Sequence, residues 1–96
     1  MAPSFSWNET KRQTNLSRHG LDFADVPSVF EGSTFTFEDD RFAYGEQRFV
    51  TLGYLVDVAV SIVHLESPAQ IHVISFRKAT RHEERILLES LRGLQN

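Results

Sequence analysis

Basic and proton-carrying side chains recur at helical spacing near the start of the chain. Lys11, Asn15 and His19 are each four residues apart, and Arg18 lies beside them. On a helix these four hydrogen-bond donors would share one face. The pattern predicts a surface on which one phosphate group meets several donors. An ordinary solvated helix face is the alternative interpretation.

A second basic group surrounds the predicted junction between the last strand and the last helix. Arg77 and Lys78 end the strand, and Arg81 and His82 would occupy the first helical turn. Cations there oppose the helix dipole, although free backbone N–H groups together with cations suit an anion. The alternative is that Arg81 pairs with Glu84 and Arg85 pairs with Glu89, as ordinary exposed ion pairs of a helix.

A carboxylate and a guanidinium stand two residues apart at the start of a predicted strand. Glu46 and Arg48 should therefore leave the same face of the sheet. Such a carboxylate is able to act as a general base, or it holds the arginine in place. An exposed structural ion pair is the alternative.

Two histidines in neighbouring predicted strands invite a metal-site interpretation. If Glu66 pairs with Gln70 across the intervening loop, His64 and His72 are directly opposite. Two ligands without a third do not make a metal site. A shift of one residue in the pairing of the strands would also place the two histidines on opposite faces. Glycine-rich phosphate loops, nucleophile elbows and zinc-protease motifs are absent from the sequence. We therefore expect no metal and no cofactor.

Composition describes one small domain over residues 1–96. The 96 residues are 41% hydrophobic and include no Cys, which excludes disulfides, thiolate metal centres and a cysteine nucleophile. No apolar run is long enough to span a bilayer, and the N-terminus lacks the features of a secretory signal, so we expect a cytoplasmic protein without membrane contact.

The net charge of −3 is an average over unlike segments. Residues 1–20 and 71–96 each carry +2, whereas residues 21–47 carry −6. Both positive ends contain the candidate residues named above. The acidic balance argues against strong non-specific attraction to nucleic acid, but it leaves room for a local phosphate site formed by the two ends.

The hydrophobic pattern predicts the elements that must position these side chains. They are, in chain order, a short strand at Phe5–Trp7, a helix capped by Asn8 that ends at Gly20, a second helix between Asp22 and Gly32, four strands between residues 34 and 77, and a terminal helix that opens on Thr80–Glu83 and places Leu87, Leu91 and Leu94 on one face. This order, β-α-α-β-β-β-β-α, predicts an α+β domain with a small antiparallel sheet and helices packed on one of its faces.

Three ordered motifs resemble one known family. They are Trp7-Asn8-Glu9-x-Lys11-x3-Asn15-x2-Arg18-His19-Gly20-Leu21-x-Phe23, then Gly45-Glu46-x-Arg48-x3-Leu52-Gly53, and finally Ile71-His72-Val73-Ile74-Ser75-Phe76-Arg77-Lys78-Ala79. In order and spacing they are similar to the BrnT family of bacterial type II toxins. The resemblance implies a RelE-like ribonuclease fold and metal-independent RNA cleavage that inhibits translation.

The same resemblance implies partners and residue roles. The partner would be a cognate BrnA-like antitoxin of the ribbon-helix-helix type, in a hetero-oligomer that contacts DNA only through the antitoxin. The implied catalytic residues are His19, Glu46, Arg48, Arg77 and Lys78, and the implied RNA-phosphate-binding residues are Lys11, Arg18 and Arg81. Either His19 or Glu46 would act as the base. The competing hypothesis is a non-catalytic interaction protein, either a decayed toxin that retains antitoxin binding or a small α+β adaptor.

Overall fold

The structure, a computed structural model, describes residues 3–40 and 45–93. Its elements are β1 (Ser4–Trp7), α1 (Glu9–His19), a 3-10 turn (Phe23–Asp25), α2 (Val26–Phe30), β2 (Phe35–Asp39), β3 (Arg48–Leu55), β4 (Val58–Ser67), β5 (Gln70–Lys78) and α3 (Arg81–Gly93). None of the helices within the described ranges has the length and apolar character needed to span a membrane. The predicted role of Leu94 in the terminal helix lies outside the described residues.

The α+β class is confirmed, but the sheet is mixed rather than antiparallel. Its strands lie in the order β1-β5-β4-β3-β2. The pairs among β2, β3, β4 and β5 are antiparallel, whereas β1 pairs with β5 in parallel. Parallel neighbours need a long connection between them, and the remainder of the chain supplies it. A sequence pattern shows strands but not their long-range partners, which is why this prediction was wrong.

The helices cover both faces of the sheet, so the prediction of a single covered face was also wrong. Ile62 of β4 packs in one core cluster with Val29 of α2, whereas the next residue, Val63, packs in another with Leu87 of α3. Successive side chains of a strand point to opposite faces, so we name these the α2 face and the α3 face. Gly53 permits the close approach of α2, since a Cβ there would lie 2.8 Å from Val29 Cγ1.

Helix α1 lies along the outer edge of β5, beyond the point where β1 ends. Asn8 caps the helix by accepting a hydrogen bond from the Lys11 amide at 3.1 Å. Gly20 closes it at a φ of 73°, a left-handed conformation that glycine adopts without cost. Both predicted helix boundaries are therefore confirmed.

Asn15 holds α1 against the sheet. Its side-chain amide donates to the Phe76 carbonyl at 2.8 Å, and its Oδ1 accepts from the Phe76 amide at 3.1 Å. A third bond goes to the Leu21 carbonyl at 3.0 Å, and Asn15 is 7% exposed. The carboxamide thus takes the place of a neighbouring strand. Asn15 shares the predicted helix face, but its donors bind backbone carbonyls, so it is not one of the exposed donors that its spacing predicted.

An irregularity in the β4–β5 pairing decides where the two histidines point. Val63 pairs with Ser75 but His64 pairs with Val73, so β5 contains one extra residue at Ile74. Leu65, not His64, lies opposite His72. The pairing of Glu66 with Gln70 was therefore wrong by one residue, and the two histidines lie on opposite faces.

His64 is a buried histidine of the α2 face. It is 0% exposed, and its Nε2 lies 2.7 Å from Thr51 Oγ1, which lies 2.7 Å from Thr36 Oγ1. Burial lowers the pKa of His64 below its usual range, while Glu66, whose Oε1 lies 3.7 Å from Nδ1, partly opposes that shift. The ring is therefore neutral in the folded protein at neutral pH.

We expect the buried ring to make the protein less stable in mild acid. Because the folded pKa is lowered, the contribution of His64 is fully present above about pH 6.5 and declines as the pH falls toward the folded pKa. The free energy of unfolding, measured in urea, should fall by up to about 1.4 kcal/mol per pH unit from this group. His64→Gln should remove this slope, and His82→Ala, at an exposed histidine, should retain it. Equal slopes in the two variants would refute the assignment.

Candidate functional site

Three of the predicted residues meet in a pocket formed by α1 and the irregular part of β5. Lys11, Arg18 and His19 line a cavity of about 200 Å³ together with Ile74 and Ser75. The extra residue Ile74 interrupts the regular pairing of β5 at this point. Such bulges are common beside functional sites. The sequence prediction that these three side chains share one surface is confirmed. The pocket presents two basic side chains and an imidazole.

Glu83 holds Arg77, at the end of β5, on the α3 face. Nη1 and Nη2 of Arg77 donate to the two Glu83 carboxylate oxygens at 2.8 and 2.9 Å. Partial burial raises the pKa of Glu83, but the bonds from Arg77 and from the Thr80 backbone amide outweigh it and leave that pKa below its usual range. Glu83 also completes the predicted capping box with Thr80. The guanidinium is thus fixed in orientation.

The two remaining basic residues of this region point elsewhere. Lys78 is exposed and pairs with Val60, whose side chain lies in the core of the α2 face. Directly opposite residues share a face, so Lys78 points away from the face of Arg77. Arg81 is exposed at the first residue of α3. Adjacent basic residues in the sequence therefore do not form one cluster.

The predicted carboxylate–guanidinium pair is present at the start of β3. Arg48 Nη2 lies 3.2 Å and Nε lies 3.4 Å from Glu46 Oε1, and the two side chains are 26% and 46% exposed. Arg48 is two residues from Val50, which packs beneath α3, so it points to the α3 face. This position therefore combines a guanidinium, a group whose planar fork suits phosphate, with a carboxylate beside it.

His72 and Ser6 form a hydrogen-bonded pair that sequence reasoning missed. Ser6 Oγ lies 2.8 Å from His72 Nδ1, and the two residues are direct partners in the parallel β1–β5 pairing. His72 also lines a cavity of about 250 Å³ at the end of the β4–β5 hairpin. Sequence analysis considered His72 only as a possible metal ligand. The parallel pairing that brings Ser6 to it has no local signal.

The structure therefore distributes the predicted site residues over three places. Lys11, Arg18 and His19 lie in the α1 pocket, the Glu46–Arg48 pair lies on the α3 face near one end of the sheet, and Arg77, Lys78 and Arg81 lie near the β5–α3 junction. In residues 3–40 and 45–93, no three or more metal-ligating side chains gather at one point. A long ligand, rather than a single phosphate, would be needed to contact all three places.

Fold and site together define a class of protein. It is a small α+β protein that places basic side chains along one helix and one sheet face, together with a carboxylate and an imidazole. A family model described as "Ribonuclease toxin, BrnT, of type II toxin-antitoxin system" matches residues 7–83. The chain belongs to the BrnT family of ribonuclease toxins, and the resemblance noted in the sequence is thereby confirmed.

Comparison with solved structures agrees with the family assignment. The chain is similar to the crystal structure of the Brucella abortus ribonuclease toxin BrnT, with a TM-score of 0.68 and 29% sequence identity. The match covers 83% of this chain and 100% of the Brucella chain. A search of curated proteins found no match.

Proposed function

We propose that this chain cleaves RNA without a metal ion, by attack of a ribose 2′-OH on the adjacent phosphate, and that it inhibits translation in the cytoplasm. The Glu46–Arg48 pair is the observation on which the proposal depends. Its carboxylate oxygen lies 3.2 Å from the guanidinium, so a base and a cation are held together on an exposed part of the sheet. Membership in a family of ribonuclease toxins supports this choice over the non-catalytic interaction protein.

Glu46 is the better placed of the two candidate bases. It lies beside Arg48, whereas His19 lies in the α1 pocket, at the outer edge of β5 with β4 between that strand and β3. In this proposal Arg48 binds the reacting phosphate and Glu46 removes the 2′-OH proton. Lys11, Arg18 and His19 bind RNA phosphate away from the cut. A chain of nucleotides spans the two places more readily than one phosphate does.

Arg77 and Arg81 provide a second contact region for the same RNA, whereas Lys78 points to the α2 face and is not part of it. Arg77 points to the same face as Arg48, and Glu83 fixes its guanidinium. Arg81 begins α3, where backbone N–H groups favour an anion. We propose that Arg77 and Arg81 bind phosphates of an RNA that runs along the α3 face.

The antitoxin is the expected protein partner. A type II toxin–antitoxin system contains a protein that neutralises the toxin, and the family model carries that description. We propose that the partner here is a BrnA-like ribbon-helix-helix protein, and that DNA contact occurs through it. We also propose that the fold is of the RelE-like ribonuclease type.

Cleavage should not require a divalent metal ion. Purified protein incubated with a single-stranded RNA should produce fragments that end in a 2′,3′-cyclic phosphate and a 5′-OH. Because side chains supply the base and the charge stabilisation, the rate should be the same with EDTA as with Mg²⁺. Loss of cleavage in EDTA with recovery on adding Mg²⁺ would contradict the mechanism, and intact RNA under both conditions would contradict the activity.

A further inference from the structure

His72 has one ring nitrogen fixed and the other available. Nδ1 lies 2.8 Å from Ser6 Oγ, and within the described part of the chain Nε2 has no hydrogen-bond partner. The side chain is partly exposed and lines the cavity of about 250 Å³ at the β4–β5 hairpin. A serine hydroxyl on Nδ1 fixes the ring plane and so determines where Nε2 points.

His72 lies on the same face and in the same row of the sheet as Arg48. The register that pairs Phe49 with His64 places Arg48 opposite Leu65, and Leu65 pairs with His72. Directly opposite residues point to the same face, so the Arg48 and His72 side chains both leave the α3 face. Their Cα atoms are two strand spacings apart, about 10 Å. A phosphodiester above Leu65 is therefore within reach of both side chains.

We propose that His72 is a catalytic residue of the ribonuclease, the acid that protonates the leaving 5′-oxygen. The inference rests on the proposed function, because it takes Glu46 as the base and Arg48 as the phosphate ligand. Ser6 is a positioning residue. Its Oγ accepts the Nδ1–H bond of the imidazolium and leaves Nε2–H directed toward the substrate.

The reaction balances with these groups alone. Glu46 takes the proton of the 2′-OH, and the bond between O2′ and phosphorus forms. The bond between phosphorus and O5′ breaks, and the Nε2 proton of His72 passes to O5′. The products are a 2′,3′-cyclic phosphate and a 5′-OH. Arg48 stabilises the extra negative charge on the non-bridging oxygens.

A substrate with a better leaving group tests the acid role directly. The probe is a single-stranded RNA in which sulfur replaces the 5′-bridging oxygen at the linkage that the wild type cuts, compared with the unmodified RNA. A thiolate leaves without protonation, so it needs no acid. His72→Ala and His72→Gln should cut unmodified RNA about 100-fold more slowly than the wild type and cut the sulfur-substituted RNA at the wild-type rate.

Serine variants of β1 provide the matched control. Ser6→Ala should slow the cleavage of unmodified RNA about tenfold and leave the sulfur-substituted RNA unaffected. Ser4→Ala should change neither rate, because the Ser4 hydroxyl donates to the Ala69 carbonyl and not to His72. Thermal unfolding of each variant establishes that it is folded.

The possible results separate the two proposals. If His72→Ala cleaves unmodified RNA at the wild-type rate, or slows the cleavage of both RNAs equally, the acid role of His72 is overturned. The proposed function stands in either case. No cleavage of either RNA by the wild type would overturn the proposed function and this inference with it.

Discussion

Replacing Arg48 by alanine is expected to slow RNA cleavage by about 100- to 1000-fold. Arg48 is the cation that the structure holds beside a candidate base, with Nη2 at 3.2 Å from Glu46 Oε1. The attacked phosphate gains negative charge in the transition state, and donors fixed beforehand stabilise that charge more than they stabilise the substrate. The loss should therefore appear in kcat more than in KM.

Two further substitutions separate the charge of Arg48 from its shape. Arg48→Lys keeps a positive charge but loses the planar fork, so we expect an intermediate loss of about tenfold. Arg85→Ala, at an exposed arginine of α3, is the matched control and should cleave at the wild-type rate. Cleavage is measured on a fluorescent RNA, and urea unfolding of each variant excludes a folding defect. If Arg48→Ala had the kcat of the wild type, the proposed site would be wrong.

Expression in cells extends this prediction to the toxin–antitoxin context. Induction of the wild-type chain without its antitoxin should arrest growth, and induction of Arg48→Ala should not. If growth arrest accompanies intact RNA, toxicity has another cause and the ribonuclease proposal fails. Co-expression with the partner antitoxin should restore growth in the wild type.

Local patterns in the sequence gave correct predictions where the physics is local. The caps of α1 and the Thr80–Glu83 capping box each depend on residues within one helical turn, and the structure contains both. The alternation that placed Glu46 and Arg48 on one face is equally local. Elements of this kind follow from side chains and neighbouring backbone groups alone.

The features that the sequence did not reveal depend on contacts between distant residues. Ser6 and His72 are 66 positions apart, and only the parallel β1–β5 pairing joins them. The extra residue at Ile74 shifts the register by one and sends His64 and His72 to opposite faces. The basic residues that the sequence predicted to form one group are also divided, because Arg77 and Lys78 point to opposite faces of β5.

Asn15→Ala is expected to lower the free energy of unfolding by about 3 kcal/mol. Asn15 is 7% exposed, and its carboxamide bonds both the amide and the carbonyl of Phe76. Removing the side chain leaves these buried backbone groups and the Leu21 carbonyl without the Asn15 partner. Each unsatisfied buried group costs about 1–3 kcal/mol. Thr14→Ala, at the exposed neighbouring position, should cost under about 0.5 kcal/mol.

Asn15→Asp tests whether the hydrogen bonds of Asn15 or its shape account for its contribution to stability. Aspartate has the same shape and retains the acceptor for the Phe76 amide, but it replaces the two N–H donors by an oxygen that faces the Phe76 and Leu21 carbonyls. If hydrogen bonding dominates, this variant should be at least as unstable as Asn15→Ala at pH 7, and its difference in stability from the wild type should shrink in acid, where the protonated carboxyl again donates a bond. If shape alone held α1 in place, Asn15→Asp would unfold at the wild-type urea concentration. Hydrogen exchange at the Phe76 amide gives an independent measurement, since that amide donates to Asn15 Oδ1 and should exchange faster in Asn15→Ala than in the wild type.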